Sequence, residues 1–201
     1  ALVSCIFNEK LFENEEKVVV SSDKYYYQLL DRKTIIYRPV QEEIVTKNTV
    51  VEKYGIYPEN FALARALTGD PSDNLRGVGG AGLPTIKERF LPLTEERTIT
   101  LTELHKFCKE QLNKKKPLKV FENAVKNWQL VEENYKLMQL YVPTLGYDVR
   151  TQITEAIRTF DPSFSKTEVI KMMADDGIEL AEFGELRLHF NRIIRDGKEG
   201  E

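Results

Sequence analysis

A chain of 201 residues with 41% apolar side chains can bury the core of one large or two small domains. Its formal charge of −3 argues against bulk nucleic-acid binding, and no apolar run reaches membrane-spanning length or forms a signal-peptide pattern. Two cysteines, Cys5 and Cys108, are too few for a disulfide framework and fit no zinc spacing, so they read as buried free thiols of a reducing compartment.

The chain begins at Ala1, not at a methionine, and residues 2 to 12 carry Leu2, Val3, Ile6, Phe7 and Leu11 at helical spacing. Glu13 to Lys17 is a polar turn. Val18-Val19-Val20 is a short β-branched run, as expected of a buried parallel strand. It ends at Ser21-Ser22-Asp23, after which Tyr25 to Leu30 reads as a helix, so Asp23 lies at the carboxyl end of a strand, where open α/β sheets place ligands. Thr34 to Tyr37 is a second strand stopped by Pro39, and Glu43 to Thr46 a short third. Thr49 to Tyr54 is a short helix ended by Gly55, and Pro58 opens a helix that runs to Gly69.

Gly69-Asp70-Pro71-Ser72-Asp73-Asn74-Leu75-Arg76-Gly77-Val78-Gly79-Gly80-Ala81-Gly82 follows, between that helix and an apolar helical pattern from Leu83 to Phe90. Glycines allow close backbone approach, and N–H groups exposed in such a turn or at the following helix start can cradle a phosphate. Asp70 and Asp73, three apart on a short loop, can converge on one hard cation. An anion cradle and a cation site within a few residues suit a protein that holds and cuts a phosphodiester.

Beyond Leu91-Pro92 the pattern is helical throughout. Thr100 or Thr102 caps a helix through Leu112, Thr100 and Glu103 being spaced like a capping box; Lys114 to Pro117 is a loop; one long helix covers Val120 to Leu140. Pro143 and Gly146 break it. Helices at 151–159, 166–174 and 179–195 complete the chain, with Ser165 and Glu168 as a second capping box and a frayed polar tail from Asp196. His105 and His189 sit in helical contexts without a nucleophile motif and read as ordinary histidines. From Arg76 to Lys126 there are eleven Lys and Arg against six Glu and no Asp, which favours a DNA-backbone track after the hairpin.

The pattern Gly69-Asp70-x-x-Asp73-Asn74-x-x-Gly77-Val78-x-Gly80-x-Gly82 resembles the helix–three-turn–helix signature of the 5′→3′ exonuclease and flap endonuclease family. Val18 to Lys24 followed by Gln28-Leu29-Leu30 resembles the same family's strand–Asp–helix motif, in the same order and at similar spacing; Asn127-Trp128 and Asn134 to Leu137 are similar to the helical part of phage RNase H-type members. The resemblance implies an α/β fold followed by all-α: a partial parallel sheet with flanking helices, then the helix–three-turn–helix motif and a C-terminal helical domain. It divides the chain into 1–47, the C-terminal part of the nuclease α/β domain; 48–140, the DNA-binding region with its following helices; and 141–201, a helical region.

The same resemblance implies Asp23, Asp70 and Asp73 as catalytic metal ligands, Asp23 for the more tightly held ion of a two-Mg²⁺ site and the other two for the second. It implies Gly77, Gly79, Gly80 and Gly82 as a duplex grip with a possible K⁺ on main-chain carbonyls, supplemented by Arg76, Lys87 and Arg89. The implied partners are duplex DNA or RNA/DNA with a 5′ flap or end and a single-stranded-DNA-binding protein, with no membrane, in the cytoplasm (the host's, if phage-encoded). Two departures stand out. Tyr25 occupies the place of a further aspartate, and the family's N-terminal portion, with its first strand, gateway and central acidic cluster, would lie before Ala1. The chain is therefore expected to correspond to the C-terminal two-thirds of a nuclease and to be weak or inactive by itself. The alternatives are a non-catalytic DNA-structure-binding module and a helical replication-interaction protein.

Overall fold

The computed structural model describes residues 2–8, 10–141, 145–160, 163–179 and 183–199. They form two compact units, 1–150 and 151–201. The first opens with helix α1 (Leu2–Asn8), which stops short of the expected residue 12, Lys10 and Phe12 taking positive φ just beyond it. Strands β1 (Lys17–Val20), β2 (Thr34–Arg38) and β3 (Glu43–Val45) form one sheet in that order. β1 and β2 are parallel, with Val18 opposite Ile35, whereas β3 returns antiparallel to β2, so the sheet is mixed. Val18 and Val20 are 58% and 65% exposed. The buried strand expected here is thus an edge strand, paired on one side among the described residues, with only alternate side chains turned inward.

The connection from β1 to β2 is a 3₁₀ turn over Lys24–Leu29 in place of the expected α-helix. Its last residues, Tyr27, Gln28 and Leu29, are buried. Gln28 acts as a clamp across the whole unit. Its amide donates to the carbonyls of Tyr25 (2.8 Å) and Met138 (3.0 Å), its side-chain oxygen accepts from Leu140 N–H (2.9 Å), and its carbonyl accepts from the Tyr141 hydroxyl (2.6 Å). A buried amide with every group paired is worth far more than its net bond energy, because leaving it unpaired costs the full desolvation penalty.

Helix α2 (Lys47–Tyr54) starts at a reciprocal Thr46–Thr49 capping box and ends at Gly55 in the left-handed region. The core is centred on α3 (Phe61–Thr68), six of whose eight residues are buried, so it is apolar nearly all round. The same buried core holds Tyr27, Ile36 and Val50 and, further along the chain, Ile86, Leu104, Phe121, Trp128 and Val131. These last belong to α4 (Leu83–Arg89), α5 (Leu101–Leu112), α6 (Lys119–Lys126) and α7 (Trp128–Met138). Thr100 is the cap of α5, and Glu103 closes its box. The single helix expected over 120–140 is two, broken at Asn127, where the backbone leaves helical values and the side chain donates back to the Asn123 carbonyl (2.8 Å). His105 stacks flat on Trp128, with 4.2 Å between ring centroids.

Cys108 is fully buried in this core, and burial pushes its thiol up to about 12; Cys5 is buried as well. Because the folded pKa is raised, the stability tied to the neutral Cys108 thiol is intact below the ordinary value of 9.0 and is lost as pH climbs from there towards about 12. A thiol reagent at pH 8 is therefore expected to leave Cys108 unlabelled in the folded protein and to label it fully in denaturant, as read by mass spectrometry. Rapid labelling of the folded protein at Cys108 would refute this.

Helix α8 (Tyr147–Arg158) runs across the boundary between the units, and α9 (Lys166–Asp175) and α10 (Phe183–Glu199) complete the chain. α10 continues through part of the expected frayed tail. Ser165 accepts from Glu168 N–H at the start of α9, and Phe164 meets Phe190 with ring centroids 5.5 Å apart. Pro143 and Asp161 lie outside the described residues. Among the described residues, no helix is long and apolar enough to cross a membrane.

Candidate active site and nucleic-acid interface

Asp23 sits just past the carboxyl end of β1, where Ser21 N–H still extends the sheet ladder to the Tyr37 carbonyl (2.9 Å). It caps the 3₁₀ turn, its Oδ1 accepting from Tyr25 N–H at 2.8 Å, and its residue remains exposed. Asp70 and Asp73 come from the other side of the core. Gly69, with φ of 71°, ends α3, and Asp70 and Leu75 exchange two backbone hydrogen bonds of 2.8 Å that close the loop carrying both carboxylates. A 3₁₀ turn over Pro71–Asp73 brings Asp73 to the surface.

These two loops, nearly fifty residues apart in sequence, meet at an open cleft of about 360 Å³. Asp23, Asp70 and Asp73 all line it, together with Ser22, Lys24, Tyr25, Arg65 and Ser72. Asp70 is the most buried of the three carboxylates. One oxygen accepts from the Ser72 N–H (3.0 Å) and hydroxyl, and the other is paired with the Arg65 guanidinium. Burial by itself raises the Asp70 pKa; the Ser72 hydrogen bonds and then the Arg65 charge outweigh it and hold the carboxyl below its ordinary value.

Arg65 was not among the candidate residues. Its only trace in the sequence is a lone cation in an otherwise apolar helix, five residues before Asp70. It also lies over the Tyr25 ring, 5.6 Å from the centroid. The Tyr25 hydroxyl is buried and has no partner of normal hydrogen-bond geometry, yet it lies within the field of Asp70 and Asp73; burial first, then these two carboxylates, push its pKa upward. The phenol thus stays neutral and fills part of the space beside the carboxylates.

The donor set around the cleft is all oxygen, the chemistry that suits a hard divalent cation. Among the described residues, however, no three His, Cys, Asp or Glu side chains converge closely enough to hold a metal ion. Asp70 already carries a counter-charge, and Tyr25 offers a neutral oxygen. The cleft therefore presents oxygen donors of the kind a hard cation takes, without a three-ligand cluster among the described residues.

The hairpin beyond the cleft separates the candidate glycines by role. Gly77 is the neck: a Cβ there would run into the backbone of Thr68 and Gly69. Gly79 and Gly80 form the exposed tip, between buried Val78 and Ala81, with Gly80 at φ of 88°. Gly82 precedes α4, and a Cβ there would meet only Pro84, at an ordinary 3.7 Å. The tip is held from below by Asn123, whose amide donates to the Gly79 carbonyl at 2.9 Å. The neck is held by buried Asn134, which donates to the carbonyls of Ala66 (3.0 Å) and Arg76 (2.8 Å). Neither asparagine was among the candidates. Arg76 and Lys87 are exposed, the Lys87 stem passing over Gly55; Arg89 lies apart, lining a second cavity with Lys114 and Lys116.

The fold is that of the bacteriophage T5 D15 protein crystallised with metal ions: TM-score 0.63 and 20% identity, over 79% of this chain and 58% of that one. A T5 D15 flap endonuclease variant in complex with DNA and metal ions matches at TM-score 0.62 and 20% identity, over 78% and 58% of the two chains. No family model matches the sequence. In sequence, the thermostable DNA polymerase I of Thermus filiformis is 42% identical over 73 residues, 36% of this chain and 9% of that protein. The 5′-3′ exonuclease of Aquifex aeolicus is 27% identical over 146 residues, 66% of this chain and 42% of the relative. A 5′-3′ exonuclease of Buchnera aphidicola is 38% identical over 73 residues, 36% and 25% of the two chains. The chain thus spans less than half the length of these curated relatives. It is similar in sequence to 5′-3′ exonucleases and in fold to the T5 flap endonuclease, in line with the resemblance carried by its two aspartate motifs.

Proposed function

We propose that this chain is the carboxylate-and-hairpin part of a Mg²⁺-dependent, structure-specific 5′→3′ exonuclease or flap endonuclease of the RNase H type. Its substrate is duplex DNA or RNA/DNA with a 5′ flap or end, and its role is the removal of RNA primers or 5′ flaps in replication. The observation that carries this reading is the meeting of Asp23, Asp70 and Asp73 on one cleft beside an exposed glycine hairpin. Two Mg²⁺ ions in such a site supply an activated water and stabilise the leaving oxyanion. Asp23 and Asp73, both exposed, are the residues that would face the ions, with Asp70 held rigid behind them by Ser72 and Arg65. The hairpin tip presents backbone to a phosphate, and a K⁺ on its carbonyls belongs to the same reading, as do a single-stranded-DNA-binding partner and a cytoplasmic setting.

A second reading is a DNA-structure-binding module without chemistry. It is favoured by Tyr25 in a ligand's place and by the absence of a three-ligand cluster among the described residues. One 5′-flap DNA assayed with Mg²⁺ and with EDTA separates the two. The 201 residues alone are expected to bind the flap and cleave it weakly or not at all; whatever Mg²⁺-dependent cleavage exists should fall at least about a hundredfold in Asp70→Asn/Asp73→Asn, the scale of removing a metal-assisted step. Cleavage that persists in EDTA, or in the double variant, would remove the metal-nuclease reading. Binding with no cleavage, even once ligands from an intact family member are grafted on, would favour the second.

A further inference from the structure

We infer that α6 and the lysine loop before it form a second duplex-DNA surface, which takes up the phosphate backbone where the glycine hairpin leaves it. This rests on the reading of the hairpin as a DNA grip. Three observations carry it.

The first is contact. Asn123 of α6 donates to the Gly79 carbonyl, and Val120 lies 3.9 Å from where a Cβ on Gly80 would be, so α6 is packed directly beneath the exposed tip. The second is register. Lys119, Asn123 and Lys126 recur at spacings of four and three and so share one face of α6. The face that touches the hairpin therefore carries an exposed lysine on either side of the contact. At 1.5 Å per residue the two lysines stand about 10 Å apart along the helix, a length of duplex that carries about six phosphates.

The third is charge. Of the six glutamates between Arg76 and Lys126, Glu95 and Glu103 pair with Arg97, Glu96 with Lys47, and Glu88 lies 3.8 Å from Arg89. Lys114, Lys115, Lys116, Lys119 and Lys126 have no carboxylate within ion-pair distance among the described residues. On α6 itself only Glu122 opposes them. These five lysines thus stand without an ion-pair partner on the loop and helix, Lys119 and Lys126 flanking the hairpin contact, while Arg76, Lys87, Lys106 and Lys109 are the other cations of the stretch with no carboxylate within ion-pair distance among the described residues. A polyanion backbone is the partner that repays such an arrangement, through release of its condensed counterions.

The test is binding of a fluorescent 5′-flap DNA duplex in EDTA, followed from 50 to 200 mM salt. Each phosphate contact contributes about 0.9 to the slope of log K against log salt. Lys119→Ala/Lys126→Ala is expected to lower that slope by about 2 and to weaken binding roughly tenfold. Lys114→Ala/Lys115→Ala/Lys116→Ala should lower it further, and Lys119→Arg/Lys126→Arg should keep it. Unchanged slopes in both alanine variants, with binding abolished by Gly80→Asp, would overturn the second surface and leave the hairpin reading standing. A folded wild-type protein that binds no duplex would remove both.

Discussion

Gly77→Ala is expected to cost about 4 kcal/mol or more, at the extreme of what single substitutions do. The reason is wholly steric. The chain crosses itself at the neck of the loop, with Gly69 and Gly77 back to back, and a methyl at 77 would overlap the Thr68 carbonyl and come within 2.8 Å of Gly69 nitrogen. These are main-chain atoms of a helix end and cannot rotate away. For a protein of this size the loss corresponds to a fall in Tm of roughly 8–16 °C. Thermal unfolding followed by circular dichroism checks it. Gly82→Ala is the control: its added methyl meets only Pro84, at van der Waals distance, and should shift Tm little. Equal effects at the two positions would overturn the steric account of the crossing.

Arg65→Met is expected to be the next most damaging change. The Arg65 and Asp70 side chains are only 13% and 11% exposed, so removing the guanidinium leaves a carboxylate in a poorly solvated place. Breaking a buried pair from one side costs about 3–5 kcal/mol, and the Ser72 hydrogen bonds retained by Asp70 put the expectation near the lower figure. The double variant Arg65→Met/Asp70→Asn should recover more than half of that loss, since the stranded charge is gone. Urea unfolding of the two single variants and the double closes the cycle. Additive losses would show that Arg65 acts through its packing on Tyr25 alone.

Much of the site was legible because it rests on local rules. A β-branched run stopping at Ser21-Ser22-Asp23 places a carboxylate at a strand end, and Gly69 followed by Asp70 and Pro71 ends a helix in a tight turn; both stand as read. The resemblance to 5′-3′ exonucleases rests on the same two segments. The pairing of Arg65 with Asp70 was not, because it depends on the chain reversing at Gly69, and a single cation in an apolar helix does not announce its partner. Nothing local pairs Asn123 and Asn134 with the hairpin, 44 and 58 residues away in sequence, although Asn134 opens a segment similar to phage RNase H-type members. The break at Asn127 was hidden because apolar spacing continues in phase through it, and only the side chain's return to the preceding turn ends the helix. An unpaired sheet edge is expected from the resemblance, but the exposure of Val18 and Val20 is not, since a run of three valines looks the same whether one face of the strand is covered or two.

The Gln28 clamp has a consequence for synthesis. The turn that follows Asp23 is tied to Met138, Leu140 and Tyr141, more than a hundred residues downstream. Loop-closure entropy is spent before such a distant contact returns anything, so the clamp belongs to the late events of folding. On a ribosome adding about 5–20 residues per second, the carboxylate-bearing turn waits several seconds after its own emergence before its amide finds its partners. During that interval the turn lacks its ties to residues 138–141, which makes the nascent chain the species most in need of a chaperone.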